Sequence, residues 1–208
     1  MAPARFSATV VTFHPEAALL ERALRSLGNA ISRAQARGLA STARIFVVDN
    51  GDEASLRTSQ AAARAFAAPD ATLELVHGHG NVGYGRANNV VLPRLDSDFH
   101  LVMNPDVELE EDAVAAAIEA LQADARFGLV APDVRGSSGE RQYLCKRYPS
   151  IWVLFLRGFA PAAVRRLFAP TLDRYEMRDV LDGHTYAPVP LASGTGAHAR
   201  ASSTSRIS

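Results

Sequence analysis

Short β-branched runs alternate with helix-periodic segments four times over residues 6–123, and few architectures accommodate that alternation. Phe6 to Phe13 reads as a strand, and Leu19, Leu20, Ala23, Leu24, Leu27 and Ile31 follow at the spacing of one helix face. Ala43 to Val48 repeats the strand pattern before Asp49-Asn50-Gly51, and Ser55 to Phe66 reads as a second helix. Ala71 to Val76 is a third strand, Gly83 to Leu95 a helix behind a glycine-rich loop, Phe99 to Met103 a fourth strand, and Glu110 to Ala123 a fourth helix. Repeated β-α units imply an α/β fold, a mostly parallel sheet with helices on both faces, whose ligands sit beyond the carboxyl ends of the strands. The loops after strands are therefore the places to look for chemistry.

The regularity fades after Gly128. Gly128 to Val134 is compatible with a strand, Gly136 to Gly139 with a turn, Arg141 to Arg147 with the second arm of a hairpin, and Ile151 to Phe168 with an apolar helix. Residues 141–174 carry seven basic side chains against one acid, Asp173, and Trp152, Phe155, Leu156 and Phe159 add an apolar stripe. Such a segment suits peripheral contact with an anionic membrane surface, or a core helix whose arginines reach solvent. From Ser193 the chain reads SGTGAHARASSTSRIS, with almost nothing to bury. The expected organisation is a domain over 1–194 and a disordered tail over 195–208.

Charge and composition narrow the function. Lys plus Arg and Asp plus Glu are each 22, so there is no bulk positive field to hold a polyanion, and a nucleic-acid partner is not expected. One cysteine, Cys145, makes no intrachain disulfide, and the start MAPARFSATVV lacks an export signal, so a cytoplasmic location is expected. No apolar run approaches the roughly 20 residues of a membrane span.

Three loops hold candidate chemistry. Asp49 ends the second strand, where its carboxylate could accept a hydrogen bond from a nucleobase imide or simply make an Asp-Asn-Gly turn. Asn104-Pro105-Asp106 ends the fourth; proline keeps Asn104 extended and projects Asp106 past the strand, either as a carboxylate for a divalent cation or as favourable charge before a helix. Between them HGHGNVGYGRANN places Gly78, Gly80 and Gly83 in a G-x-G-x-x-G spacing, which keeps a dinucleotide-dependent oxidoreductase open, although that fingerprint belongs to a first strand-helix turn. His77 and His79 lack a recognisable third partner for zinc.

Taken together, VVTFHPE (10–16), VVDNGD (47–52), GNVGYGRANN (80–89) and LVMNPDVEL (101–109) resemble the family 2 glycosyltransferases of GT-A fold, and most closely a rhamnosyltransferase-like branch. The resemblance implies a Rossmann-like GT-A sheet, incomplete at its C-terminus, that binds a dTDP- or UDP-linked sugar with Mg2+ or Mn2+. It implies that Thr12 and Phe13 line the nucleotide pocket, that Asp49 reads a pyrimidine, and that Gly83, Arg86 and Asn89 shape or contact the nucleotide sugar. Asn104 and Asp106 resemble the family's D-x-D metal motif, with Asp106 on the metal. The implied reaction is inverting transfer of a sugar, rhamnose in the resembling branch, to a polysaccharide or lipid-linked acceptor at the inner membrane face. Leu191 to Gly194 resembles the turn before the family's catalytic base, but no acid follows it, and the nearest alternatives are Asp179 and Asp182. The expectation is therefore a truncated or frame-shifted product after Gly194, with impaired transfer or donor binding alone.

Overall fold

The computed structural model describes residues 2–131 and the strand segments 134–135, 141–142, 145–146, 191–192 and 197–200. The chain divides into two units, Met1–Pro132 with Gly194–Ser208, and Asp133–Ser193.

In the first unit, β1 (Ala4–Thr12), β2 (Ala40–Asp49), β3 (Ala71–Val76) and β4 (Phe99–Met103) form parallel ladders in the order β3-β2-β1-β4. Helices α1 (Ala17–Ala36), α2 (Glu53–Ala63), α3 (Tyr84–Val90) and α4 (Ala113–Ala123) connect or follow them. The α/β expectation holds, and the bounds of β3 and β4 are those the sequence pattern gives.

Handedness decides which face each helix covers. The chain steps β1 to β2 to β3 in one direction and then returns across β1 to β4, so right-handed crossovers put α1 and α2 on one face and α3 on the other. The core follows suit. Leu20, Leu24, Leu27 and Ile31 of α1 pack with Phe6, Ala8, Val10, Ile45 and Val47, and with Ile118 of α4. Val11, Phe46 and Val48 turn the other way, onto Ala87 and Val91.

Three helices are shorter than their sequence patterns, and α2 ends at Ala63 rather than Phe66. α3 stops at Val90 and gives way to a 3-10 turn, Leu92–Arg94, because Pro93 has no N–H to donate and crowds the preceding turn. α4 starts at Ala113, so Glu110, Glu111 and Asp112 precede it, where negative charge complements a helix N-terminus.

The tail departs from expectation more sharply. Ala197–Arg200 is a strand, β10 in chain order, paired antiparallel with Phe99–Val102 of β4 and, on its other edge, with Leu129–Val130 (β5). The expectation of a disordered tail over 195–208 fails for these four residues. The cause is the unpaired edge of β4, whose backbone N–H and C=O groups accept any extended segment, apolar or not.

In the second unit Val134–Arg135 (β6) pairs antiparallel with Arg141–Gln142 (β7), which is the hairpin the sequence suggests. Cys145–Lys146 (β8) pairs with Leu191–Ala192 (β9) instead of extending that hairpin.

Candidate functional site

The order β3-β2-β1-β4 reverses the direction of chain travel between β1 and β4, and a crevice opens beyond the strand ends at such a reversal. A cleft of about 430 Å³ lies there. Val11, Thr12 and Phe13 at the end of β1 form its floor, and Asn104, Pro105 and Asp106 at the end of β4 one wall. Asn50 follows β2, Asn81 and Tyr84 come from the glycine-rich loop and the start of α3, and Pro15, Glu16 and Leu19 from the entry to α1.

Under the β2 side of this cleft is a fully buried carboxylate, Asp49. Its Oδ2 accepts hydrogen bonds from the hydroxyls of Thr12 at 2.9 Å, Ser55 at 2.9 Å and Ser59 at 2.6 Å, and its Oδ1 from the Gly51 N–H at 2.8 Å. Burial alone would raise its pKa, but the donors Ser59, Thr12, Gly51 and Ser55 together outweigh burial and hold it below the usual carboxylate range. Strand alternation explains the direction: Ile45 and Val47 face α1 and α2, so Asp49 does too, onto the i, i+4 serines of α2. Gly51 is required beside it, since a Cβ there would lie 2.3 Å from Ser55 Cβ. Asp52 then caps α2, accepting from the N–H groups of Ala54 and Ser55.

Asn50 is the next residue and takes the opposite side of the strand, into the cleft. Its N–H donates to the Thr12 carbonyl at 2.9 Å, and its Oδ1 is 2.9 Å from His79 Nε2. His79 reaches it because Gly78 and Gly80 on either side have positive φ, +96° and +69°, a conformation that side-chain-bearing residues rarely adopt.

Across the cleft, the Tyr84 hydroxyl donates to Asn104 Oδ1 at 2.8 Å. Burial, opposed by a hydrogen bond with Asn88 and reinforced by the charge of Asp106, raises the pKa of Tyr84, which keeps the phenol a donor. Asp106 itself is exposed.

The expected residues thus divide. Thr12, Phe13, Asn104 and Asp106 meet in one cleft, whereas Asp49 is not among the residues that line it, and is fully buried with four donors on its carboxylate. Gly83, with φ +81°, precedes α3, and Arg86 and Asn89 lie on that helix; none of the three lines the cleft. Asp179 and Asp182 lie outside the described residues, as does most of 141–174. Sequence reasoning missed Asn50, His79 and Tyr84. Period-two alternation from Ile45 would have found Asn50, because Asp49 and Asn50 must face opposite ways.

Among the described residues no three His, Cys, Asp or Glu side chains gather into a metal cluster. On the β4 wall of the cleft, the Asp106 carboxylate and the Asn104 amide offer hard oxygens. That small set fits Mg2+ or Mn2+, which take most of their oxygens from phosphate and water.

The sequence matches the model of glycosyl transferase family 2 over residues 8–184. The chain belongs to this family. The dinucleotide reading of the glycine-rich loop falls with that assignment. A comparison with curated proteins gives no match. Among solved structures, the mannosyltransferase PcManGT from Pyrobaculum calidifontis, in complex with GDP-Man and Mn2+, aligns with a TM-score of 0.52 at 23% identity over 64% of this chain and 36% of that one. S. aureus TarS 1-349 in complex with UDP aligns at 0.51 with 18% identity, over 69% and 40%. The same protein in complex with UDP-GlcNAc gives 0.50, 18%, 69% and 38%. The chain therefore has the GT-A fold and spans well under half the length of these structures. No helix among the described residues is long and apolar enough to cross a membrane.

Proposed function

We propose that the cleft binds a nucleoside-diphosphate sugar, base toward Asn50 and diphosphate toward Asp106, for inverting transfer of the sugar to an acceptor hydroxyl. The observation that carries this is the pairing of a buried, hydrogen-bonding wall with an exposed carboxylate across one strand-reversal crevice. Base recognition goes to Asn50 rather than Asp49, because the Asp49 carboxylate already has four donors and no face on the cleft.

Asp106 and the Asn104 amide would hold Mg2+ or Mn2+, which when bound supplies positive charge to the leaving diphosphate. Phe13, 54% exposed on the cleft floor, offers an aromatic face to the base or sugar. Solved relatives bound to GDP-Man with Mn2+, UDP-GlcNAc and UDP support the ligand class. A dTDP- or UDP-linked donor, rhamnose as the sugar and a polysaccharide or lipid-linked acceptor follow from the motif resemblance. The basic, aromatic 141–174 segment is the proposed contact with an acceptor at the membrane face. Asp179 and Asp182 are the proposed candidates for the base that takes the acceptor proton.

Calorimetric titration with UDP-, dTDP- and GDP-sugars, with and without Mg2+ or Mn2+, tests the reading. Binding that needs the metal and loses that need in Asp106→Ala supports it. Metal-independent binding that is indifferent to Asp106→Ala overturns it.

A further inference from the structure

We infer that His79 is a specificity-determining residue, which fixes the Asn50 amide so that the cleft accepts a keto edge of a nucleobase and discriminates against an amino edge. The inference rests on the nucleotide-binding reading above and adds to it which hydrogen-bonding polarity the base must present.

An asparagine amide is ambiguous by itself, since its oxygen accepts and its nitrogen donates, and rotation by half a turn exchanges them. Here one side is occupied. His79 Nε2 lies 2.9 Å from Asn50 Oδ1, and the other ring nitrogen, Nδ1, is buried without a partner. Two arrangements would satisfy the contact. In one, Nε2–H donates to Oδ1 and Nδ1 is a bare acceptor. In the other, the amide is reversed, its NH2 donates to Nε2, and the proton on Nδ1 is buried with nothing to receive it. A buried donor without an acceptor is the rarer and costlier defect, so the first arrangement prevails.

The consequence for the cleft follows directly. With Oδ1 committed to His79, the Asn50 NH2 has no protein partner among the described residues and belongs to a residue that lines the cleft. The backbone cannot swing to change this, because Asn50 N–H is tied to the Thr12 carbonyl and its neighbours Asp49 and Gly51 are tied to each other. The wall therefore presents a donor. A carbonyl oxygen such as O4 of uracil or thymine, or O6 of guanine, accepts from it. The exocyclic amine of cytosine or adenine sets donor against donor. Gly78 and Gly80 belong to the same device, since their positive φ values turn His79 inward.

The test is a set of titrations on the whole chain with UDP, CDP, GDP and ADP in the presence of Mg2+. In the unmodified protein UDP should bind about tenfold or more tighter than CDP, and GDP than ADP, the ratio expected when one buried partner is left unpaired. His79→Phe keeps a ring in the loop and removes the donor, and His79→Ala removes both. In each, Asn50 is free to rotate and the keto-to-amino ratios should fall toward one, even where overall affinity changes little. A merely structural role for His79 would weaken all four nucleotides together and keep the ratios. Ratios near one in the unmodified protein, or ratios unchanged in both variants, would overturn the inference while leaving nucleotide binding intact. Failure of all four to bind would overturn the nucleotide reading and this inference with it.

Discussion

The two sides of the cleft are built on opposite principles. On the β2 side the carboxylates and the Asn50 oxygen are held in place: Asp49 gathers three hydroxyls and an N–H, Asn50 is held by Thr12 and His79, and Asp52 caps α2. On the β4 side the chain turns through Asn104-Pro105-Asp106, with Asp106 exposed and a bond from Tyr84 to Asn104 across the opening. A neutral, planar base is recognised by fixed hydrogen bonds, which must be in place before it arrives. A diphosphate with its cation carries its own charge and waters, and needs only an accessible carboxylate. Substitutions on the first side should therefore register chiefly in stability, and on the second chiefly in ligand binding.

The largest expected effect is Asp49→Ala. It removes the shared acceptor of the Ser55 hydroxyl and the Gly51 N–H, leaves the Thr12 and Ser59 hydroxyls only each other at 3.2 Å, and should cost about 3 kcal/mol of unfolding free energy, the upper range for hydrogen bonds to a buried charged group. Urea unfolding measures it. A loss under about 1 kcal/mol would mean that water replaces the carboxylate and that the β2 side does not depend on it for rigidity. The same group carries an acid dependence. Because the folded pKa of Asp49 lies below its unfolded value of about 4, its contribution is complete above that value and is lost as pH falls through the folded pKa. Asp49→Asn should accordingly flatten the decline of the urea midpoint from about pH 5 downward. An unaltered acid limb would assign that decline to other carboxylates.

Gly51→Ala comes next. The added methyl would sit 2.3 Å from Ser55 Cβ and 3.1 Å from Asp49 Oδ1, and Ser55 is fixed on α2, so the turn itself must move. Overpacking of this kind costs about 1 to 3 kcal/mol, and we expect about 2. Nucleotide affinity should fall with it, since the turn carries Asn50. Unchanged stability with unchanged affinity would show that the turn has slack.

How much of this contrast could be read from the chain varies with the range of the interaction. Strand-helix alternation announces the sheet, and the apolar stripe Leu20, Leu24, Leu27 and Ile31 is buried as its spacing implies. Glycines and proline mark the loops, and Asp106 at a strand end falls in the cleft. Local pattern fails where tertiary contact decides. Asp49 invites a ligand role by its place at a strand end, yet Ser55 and Ser59 belong to a helix whose face depends on crossover handedness. Tyr84 and Asn104 meet across the β3-α3-β4 crossover, and nothing in either local sequence specifies the partner. The strand at Ala197–Arg200 is likewise chosen by the vacant edge of β4, because backbone pairing asks little of the side chains.

On the β4 side, Asp106→Ala should lower metal-supported nucleotide affinity by about tenfold or more, the order of effect seen when metal coordination is perturbed. Its thermal stability should stay within about 0.5 kcal/mol of the parent, as is usual for exposed positions. Calorimetric unfolding beside the ligand titration reads both. Destabilisation comparable to that of Asp49→Ala would erase the contrast between the two sides.

The smallest expected effect is Tyr84→Phe, and it tests the contrast most finely. The substitution removes one hydroxyl, with its 2.8 Å bond to Asn104 Oδ1 and its hydrogen bond with Asn88, and leaves the ring in place. Neutral hydrogen bonds contribute about 0.5 to 1.5 kcal/mol each, and Tyr84 sits 39% exposed where water can take over part of the role, so stability should drop by about 1 kcal/mol. Affinity should move in a direction set by what Asn104 does. If the phenol competes with the cation for the Asn104 oxygen, removing it strengthens metal-supported binding. If the phenol holds that oxygen in place for the cation, the same change weakens binding. Because Tyr84 stands on α3 and Asn104 follows β4, the bond ties the glycine-rich loop to the metal-side turn, and immobilisation is the stronger effect. Weaker binding by a few-fold with Mg2+, and no change without it, is the expected result. Tighter binding would instead make the phenol a competitor of the cation for the Asn104 oxygen.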